Sequence, residues 1–394
     1  MNETPRAERL HIGLFGKRNS GKSSLINALT GQETAVVSDI AGTTTDPVYK
    51  AMEIAGIGAC VFIDTAGFDD EGELGELRVK QTMRVVERTD IALIVCTDGN
   101  ISDELRWNER LKEKNVPVIW VLNKSDQLPN AESLLRTLEQ QCEQVPLLVS
   151  ARTRQGIEDI RRAIGNKLPD ETMNQGIVGR LVKEGDTVML VMPQDIQAPK
   201  GRLILPQVQT IRELLDRKCL VFSCTTDKVD DMLLALKYPP KLIITDSQVF
   251  RTVYEKKPAE SRLTSFSVLF AQYKGDIDYY IEGANAIACL TESSRVLIAE
   301  ACTHAPLAED IGRVKIPAML RKKIGNDLSI DIVSGTDFPE DLSQYDLIIH
   351  CGACMFNRKY VLSRIASARF QHIPMTNYGV TIAYLMGILD KIDY

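Results

Sequence analysis

The stretch Gly16-Lys17-Arg18-Asn19-Ser20-Gly21-Lys22-Ser23 constrains this chain of 394 residues more than any other. It fits G-x-x-x-x-G-K-S/T, follows the apolar run 10–15 and opens a helical pattern over 22–30. In that context a glycine-rich backbone curls so that its N–H groups face phosphate oxygens, and the helix N-terminus adds a favourable dipole. Lys22 is then placed to reach the β and γ phosphates, and the Ser23 hydroxyl to meet Mg²⁺. Asn19, Ser20, Gly21 and Ser24 belong to the same phosphate-facing turn.

Four further motifs follow in order. A polar, switch-like stretch, 38–46, reads Ser-Asp-Ile-Ala-Gly-Thr-Thr-Thr-Asp. Asp64-Thr65-Ala66-Gly67 comes after the apolar run 60–63, where a carboxylate can hold Mg²⁺ through water and the Gly67 N–H can meet the γ-phosphate. Asn123-Lys124-Ser125-Asp126 comes after the run 116–122. The Asp126 carboxylate can accept two N–H bonds from the N1 and N2 edge of guanine, a donor pair adenine lacks. Ser150-Ala151-Arg152 comes after the run 146–149, where a backbone N–H can meet guanine O6. Any one of these suits an ordinary strand-end turn. Together, in this order, they point to a guanine-nucleotide site.

Apolar runs alternate with helical patterns along the whole chain, so the expected class is α/β. The expected architecture is a P-loop GTPase domain, residues 1–167, followed by two further α/β domains with mostly parallel sheets, 177–258 and 262–394. Strands are expected at 187–192, 219–222 and 241–245 in the second piece. In the third they are expected at 267–269, 296–301, 329–333, 347–350 and near Ile373. Pro169, Asn174 and Gly176 mark one linker; Lys256, Lys257 and Pro258 mark the next boundary. The net charge of −6 argues against binding nucleic acid through bulk positive charge. No run approaches the roughly 18 apolar residues of a membrane span. The segment Met1-Asn2-Glu3-Thr4-Pro5-Arg6 lacks a signal-peptide core, so a cytoplasmic location is expected.

Nine cysteines in such a chain do not read as a disulfide framework. Cys60, Cys96, Cys142, Cys219, Cys224 and Cys289 are scattered and read as small buried hydrophobes. The other three keep company with histidines. Cys302-Thr303-His304 and His350-Cys351-Gly352-Ala353-Cys354 each follow an expected strand. Ligands gather at the C-terminal edge of an open parallel sheet, so neighbouring strands would bring both clusters to one crevice. Three thiols and two imidazoles there suit a metal. A four-ligand structural zinc and an iron–sulfur cluster on three thiolates both fit the spacing.

The first 167 residues resemble the GTPase family of tRNA-modification and ribosome-assembly factors, the branch related to TrmE and Era; the match of 38–44 to that branch's switch is close. The resemblance implies that Thr44 coordinates Mg²⁺ with Ser23. It also implies that Asn19 binds K⁺, with Ser38, Ile40 and Thr43 completing its shell. K⁺ would supply positive charge near the bridging oxygens, where an arginine finger acts in other GTPases. Lys22, Asn19, Thr44 and Asp64 are the expected catalytic set. Thr45 departs from the branch, which often carries arginine there. Phe68 stands where many small GTPases place a water-orienting glutamine. Phenylalanine cannot polarise water, so slow hydrolysis without K⁺ or a partner is expected.

This GTPase type, a middle α/β piece and the C-x-H…H-C-x-x-C pattern together resemble the HydF family of [FeFe]-hydrogenase maturation GTPases, over essentially the whole chain. That resemblance implies a [4Fe–4S] cluster on Cys302, Cys351 and Cys354, with a diiron precursor received from radical-SAM maturases and delivered to apo-hydrogenase. A non-cysteine fourth position would leave one iron open to a bridging ligand; His304, His350 and Glu309 are candidates for that position or for outer-shell roles. The middle piece is expected to dimerise, with the strand 187–192 continuing its sheet into a second subunit. A different reading is an RNA-associated GTPase with a structural zinc; the acidic charge and the lack of a basic or aromatic platform count against it.

Overall fold

The computed structural model describes residues 6–31, 47–54, 57–65, 73–168, 176–193, 203–301 and 310–394. The chain divides into two compact units, Met1–Met173 and Asn174–Tyr394. Both are α/β with mostly parallel sheets, as the alternation predicts.

The first unit holds β1 (Leu10–Phe15), β2 (Val48–Ile54), β3 (Gly58–Asp64), β4 (Ile91–Cys96), β5 (Val118–Leu122) and β6 (Leu147–Leu148). They form one sheet in the order β2-β3-β1-β4-β5-β6. β2 runs antiparallel to β3 and the remaining pairs are parallel. Strand residues alternate between two cores, as a period of two requires. Ile91, Leu93 and Val95 face the helices Lys22–Thr30 and Ile157–Asn166, while Ala92, Ile94 and Cys96 face Ser102–Glu113 and Ala131–Cys142. With both faces covered, β4 and β5 are buried throughout. The edge strand β2 escaped the sequence reading because Val48-Tyr49-Lys50-Ala51-Met52-Glu53 buries little and so lacks a clear apolar run.

The second unit holds two four-stranded sheets, parallel throughout. β7 (Thr187–Val191), β8 (Leu220–Cys224), β9 (Leu242–Thr245) and β10 (Arg262–Ser265) lie in the order β10-β9-β7-β8. β11 (Arg295–Glu300), β12 (Ser329–Ser334), β13 (Leu347–His350) and β14 (Met375–Asn377) lie in the order β12-β11-β13-β14. One core contains side chains from both sheets, including Met189, Ile243 and Leu263 from one and Leu297, Ile348 and Met375 from the other.

Three expectations need correction here. The stretch 267–269 is helical, inside Phe266–Lys274, and the strand precedes it at β10. A short apolar run does not distinguish a strand from a buried helix; the Ser265 side chain, accepting the Val268 N–H, sets the helix start. β10 bonds to β9, so the middle sheet extends past the expected break at 255–261. β7 is not an exposed strand: it is paired on both sides and Val188–Val191 is fully buried. One edge, β10, is covered by Asp393, which bonds the Leu263 N–H and C=O. Among the described residues β8 pairs on one side alone, and Leu220 on it is 57% exposed.

Cys60, Cys96, Cys142 and Cys219 are buried as expected, Cys224 is half-buried, and Cys289 is exposed. Among the described residues no helix is long and apolar enough to cross a membrane.

Candidate functional site

The loop between β1 and its helix takes the shape its glycines permit. Gly21 has φ 89°, and a Cβ there would stand 2.4 Å from Asn123 Nδ2; a Cβ on Gly16 would stand 2.3 Å from the Val95 carbonyl. No other residue type fits either place without displacing backbone or a buried amide. Asn19 (φ 61°) is exposed in this loop. Lys22 is buried and folds back over the loop, donating to the Gly16 and Lys17 carbonyls at 2.8 and 2.9 Å. Its ammonium is thereby aimed by the backbone that would cradle phosphate. Ser23 and Ser24 are exposed, and the Ser20 hydroxyl is buried without a hydrogen-bond partner.

Ser23 Oγ donates to Asp64 Oδ2 at 2.5 Å, so the helix N-terminus and the end of β3 meet at one point. Burial raises the Asp64 carboxyl above the usual range, against the Ser23 hydrogen bond and the charges of Lys22 and Lys50. A hydroxyl and a carboxylate in contact are the hard oxygen donors Mg²⁺ takes, so these residues fit that ion.

The guanine end is built by Asn123, which is 1% exposed. Its Nδ2 donates to the Ser20 carbonyl at 3.0 Å and its Oδ1 accepts the Ala151 N–H at 3.1 Å. One side chain therefore ties the phosphate loop to the loop after β6. Lys124 takes a left-handed conformation (φ 59°), and Asp126 lies exposed with Oδ1 accepting from Ser150 Oγ at 2.6 Å. Ser150 in turn accepts the Thr153 N–H, which fixes the loop carrying Ala151. The sequence motifs at 16–23, 64, 123–126 and 150–151 thus converge. Ser38, Ile40, Thr43, Thr44, Thr45, Gly67 and Phe68 lie outside the described residues.

Sequence reasoning missed Lys17 and Glu104. Lys17 donates to the Asn100 carbonyl and pairs with Glu104, 2% exposed, at 3.4 Å. Burial raises the Glu104 carboxyl, opposed by its backbone hydrogen bond and by Lys17. Glu104 lies in a charged helical stretch where nothing local marks one acid as buried.

In the second unit β11 and β13 are neighbours, with Ala299 opposite His350. Their C-terminal ends meet: Cys351 Sγ accepts the Ala301 N–H at 3.0 Å and the Ala353 N–H at 3.4 Å. Cys351 and Cys354, both half-buried, sit on a turn made possible by a left-handed Ala353 (φ 51°). Burial pushes the Cys351 thiol up to about 11, against those two N–H groups. Two amides aimed at one sulfur, on a Cys-x-x-Cys turn beside the strand that leads to Cys302, are a donor set that fits a thiolate-bound metal group. Cys302, His304 and Glu309 lie outside the described residues, and among the described residues no three His, Cys, Asp or Glu side chains cluster as a metal site.

His350 is fully buried. Arg364 donates to its Nε2 at 2.9 Å, so Nδ1 carries the proton and donates to the Cys351 carbonyl at 2.8 Å. Burial, then the Arg364 charge, lowers the imidazole to about 3. With both ring nitrogens engaged, His350 fits an outer-shell role and not that of an iron ligand. Arg364, 3% exposed, also donates to the Gly335 carbonyl at 2.6 Å and lies over the rings of Phe356 and Tyr360 at 4.7 Å.

Three family models match the chain: 50S ribosome-binding GTPase over residues 11–124, hydrogen maturase F dimerization domain over 177–275, and hydrogen maturase F tetramerization domain over 278–392. The two hydrogen maturase F models together take in more than half of the chain. The chain belongs to the hydrogen maturase F family. Its first unit is a GTPase domain of the TrmE/Era type. The tRNA modification GTPase MnmE of Endomicrobium trichonymphae is 37% identical over 161 residues, covering 38% of this chain and 34% of that protein. GTPase Der of Wolinella succinogenes is 34% identical over 195 residues, covering 45% of this chain and 41% of that protein. The chain thus spans less than half the length of these curated relatives. Among solved structures, a probable GTP-binding protein engB aligns with TM-score 0.32 and 24% identity, over 40% of this chain and 98% of that one.

Proposed function

We propose that the chain is a GTP-hydrolysing scaffold and carrier in [FeFe]-hydrogenase maturation. The observation that carries this reading is the junction of β11 and β13. There the residue before Cys302 bonds the sulfur of Cys351, in a family whose domain names are those of hydrogen maturase F. Cys302, Cys351 and Cys354 would hold a [4Fe–4S] cluster. Such a group supplies an iron open to a bridging ligand when the fourth donor is exchangeable. His304 and Glu309 are the candidates for that position, with His350 behind Cys351. The cargo is a diiron precursor, received from radical-SAM maturases and passed to apo-hydrogenase.

Hydrolysis of GTP to GDP and phosphate would set the timing. Lys22 meets the β and γ phosphates, Ser23 and Thr44 hold Mg²⁺ with Asp64 behind them, and Gly67 offers its N–H to the γ-phosphate. Asn19, Ser38, Ile40 and Thr43 hold K⁺, whose charge would stabilise the transition state at the bridging oxygens. Phe68 offers nothing to orient water, so turnover is slow and K⁺-stimulated. Asp126 selects guanine, with Ala151 at O6. Three functional pieces remain, all in the cytoplasm: residues 1–167 for GTP, a dimerisation piece that begins at 177 and runs past 258 to take in β10, and a cluster piece from there to 394. Dimerisation would use the β8 edge, in place of 187–192, since β7 is enclosed.

Two substitutions separate the parts. Lys22→Ala is expected to stop GTP turnover and leave iron content unchanged. Cys351→Ser is expected to lose the cluster and keep GTP turnover; full iron content in that variant would overturn the cluster assignment.

A further inference from the structure

Lys274 ends the helix Phe266–Lys274 and is 2% exposed. Its Nζ donates to the Ala353 carbonyl at 3.3 Å and to the Phe356 carbonyl at 2.9 Å. Those two carbonyls flank Cys354. The Ala353 carbonyl shares its peptide group with the Cys354 N–H, and the Ala353 N–H is on the sulfur of Cys351. A lysine from the helix that follows β10 of the middle sheet therefore bonds two carbonyls of the segment that carries both cysteines, one of them on an alanine in the sterically costly left-handed conformation. The neighbouring Arg358 Nε bonds the Tyr273 carbonyl at 3.0 Å, so helix end and turn are joined twice. An ammonium enclosed by protein is weakly screened and acts on nearby charge more strongly than one in water. Adding an electron to a thiolate-held cluster increases its negative charge, and net charge near the sulfurs is one of the protein's controls on potential.

We propose that Lys274 is a positioning residue for the Cys351–Cys354 turn and that its charge favours the reduced form of the cluster held there. The inference rests on the cluster reading and adds to it a determinant of redox poise outside the cysteine motif.

The test uses the full chain, reconstituted anaerobically with iron and sulfide, and a redox titration followed by EPR on wild type, Lys274→Gln and Lys274→Arg. The amide of glutamine keeps a donor without the charge. Lys274→Gln is expected to lower the midpoint potential by about 59 mV, a tenfold shift of a one-electron equilibrium, and Lys274→Arg to restore most of it. A Lys274→Gln protein at the wild-type potential overturns the proposal, and so does Lys274→Arg sharing the full shift of Lys274→Gln. If Lys274→Gln takes up no iron, recovery of iron by Lys274→Arg supports the positioning role, and failure of both variants with GTP turnover intact overturns it. A wild-type chain that takes up no iron refutes the cluster reading itself, a result distinct from all of these.

Discussion

Asn123 offers the sharpest energetic prediction, because its buried side chain does two jobs at once. Asn123→Ala removes the partner of the Ser20 carbonyl and the partner of the Ala151 N–H, at 3.0 and 3.1 Å. A buried backbone group left unpaired, as the Ser20 carbonyl would be, costs about 1–3 kcal/mol, and the half-buried Ala151 N–H adds less, so the pair costs about 1–4 kcal/mol. Set against a domain stability of about 5–15 kcal/mol, this loss should lower the urea midpoint strongly. Both tryptophans, Trp107 and Trp120, lie in the first unit, so tryptophan fluorescence reads this unit's unfolding in the full chain. GTP affinity should fall as well, because the phosphate loop and the Ala151 loop lose their tie. Asp126→Ala is the control: it removes one part-buried bond, whose donor Ser150 still accepts the Thr153 N–H, and should lose guanine affinity with a smaller change in stability than Asn123→Ala. An Asn123→Ala chain within about 0.5 kcal/mol of wild type, the range of a plain surface change, would refute the reasoning.

Other outcomes follow from particular contacts. Asp126→Asn should shift the base preference in binding assays from GTP toward XTP, since an amide presents a donor where guanine also presents one; an unchanged preference would show that Asp126 does not read the base. Leu220→Lys places charge on the β8 edge and should leave gel filtration with a smaller species; an unchanged elution volume would locate the interface elsewhere. Gly283→Ala would set a Cβ 2.1 Å from the Met375 carbonyl and should destabilise the second unit by about 1–3 kcal/mol, read by calorimetry. The Glu104 carboxyl is raised above its ordinary 4.5 in the folded chain, so stability falls as pH rises from that value through the raised one. Glu104→Gln should flatten thermal melts across that window; an unaltered slope would contradict the assignment.

The sequence disclosed most where backbone chemistry depends on residue type. Gly16 and Gly21 are required by close approach, and the strands after which motifs fall are buried runs that periodicity exposes. β13 matches its expected span because a parallel strand covered on both faces is buried along its whole length and apolar up to His350. The failures have physical causes as well. The run 262–270 interleaves Leu263, Phe266, Val268, Leu269 and Phe270 with hydroxyl residues and fits neither period cleanly, and a serine cap decides where strand becomes helix. Whether β7 or β8 forms an edge is a matter of strand order, which side-chain pattern does not carry. Nothing local in the sequence marks Lys274 and Arg364 as buried cations, for their burial depends on carbonyls and rings distant from them along the chain or brought to them by folding. His350 stood among the candidate ligands by proximity, and its two engaged nitrogens place it behind Cys351 instead.

The claim at the centre is that one polypeptide couples a guanine-nucleotide switch to a three-cysteine iron–sulfur centre with an exchangeable position. The direct measurement is iron and acid-labile sulfide content of the anaerobically reconstituted wild-type chain, with EPR of the reduced protein before and after addition of cyanide as a small exogenous ligand. The account predicts about four irons and four sulfides per chain and an EPR spectrum that changes when the ligand binds. Zinc in place of iron, or a cluster whose spectrum ignores the ligand, would contradict it.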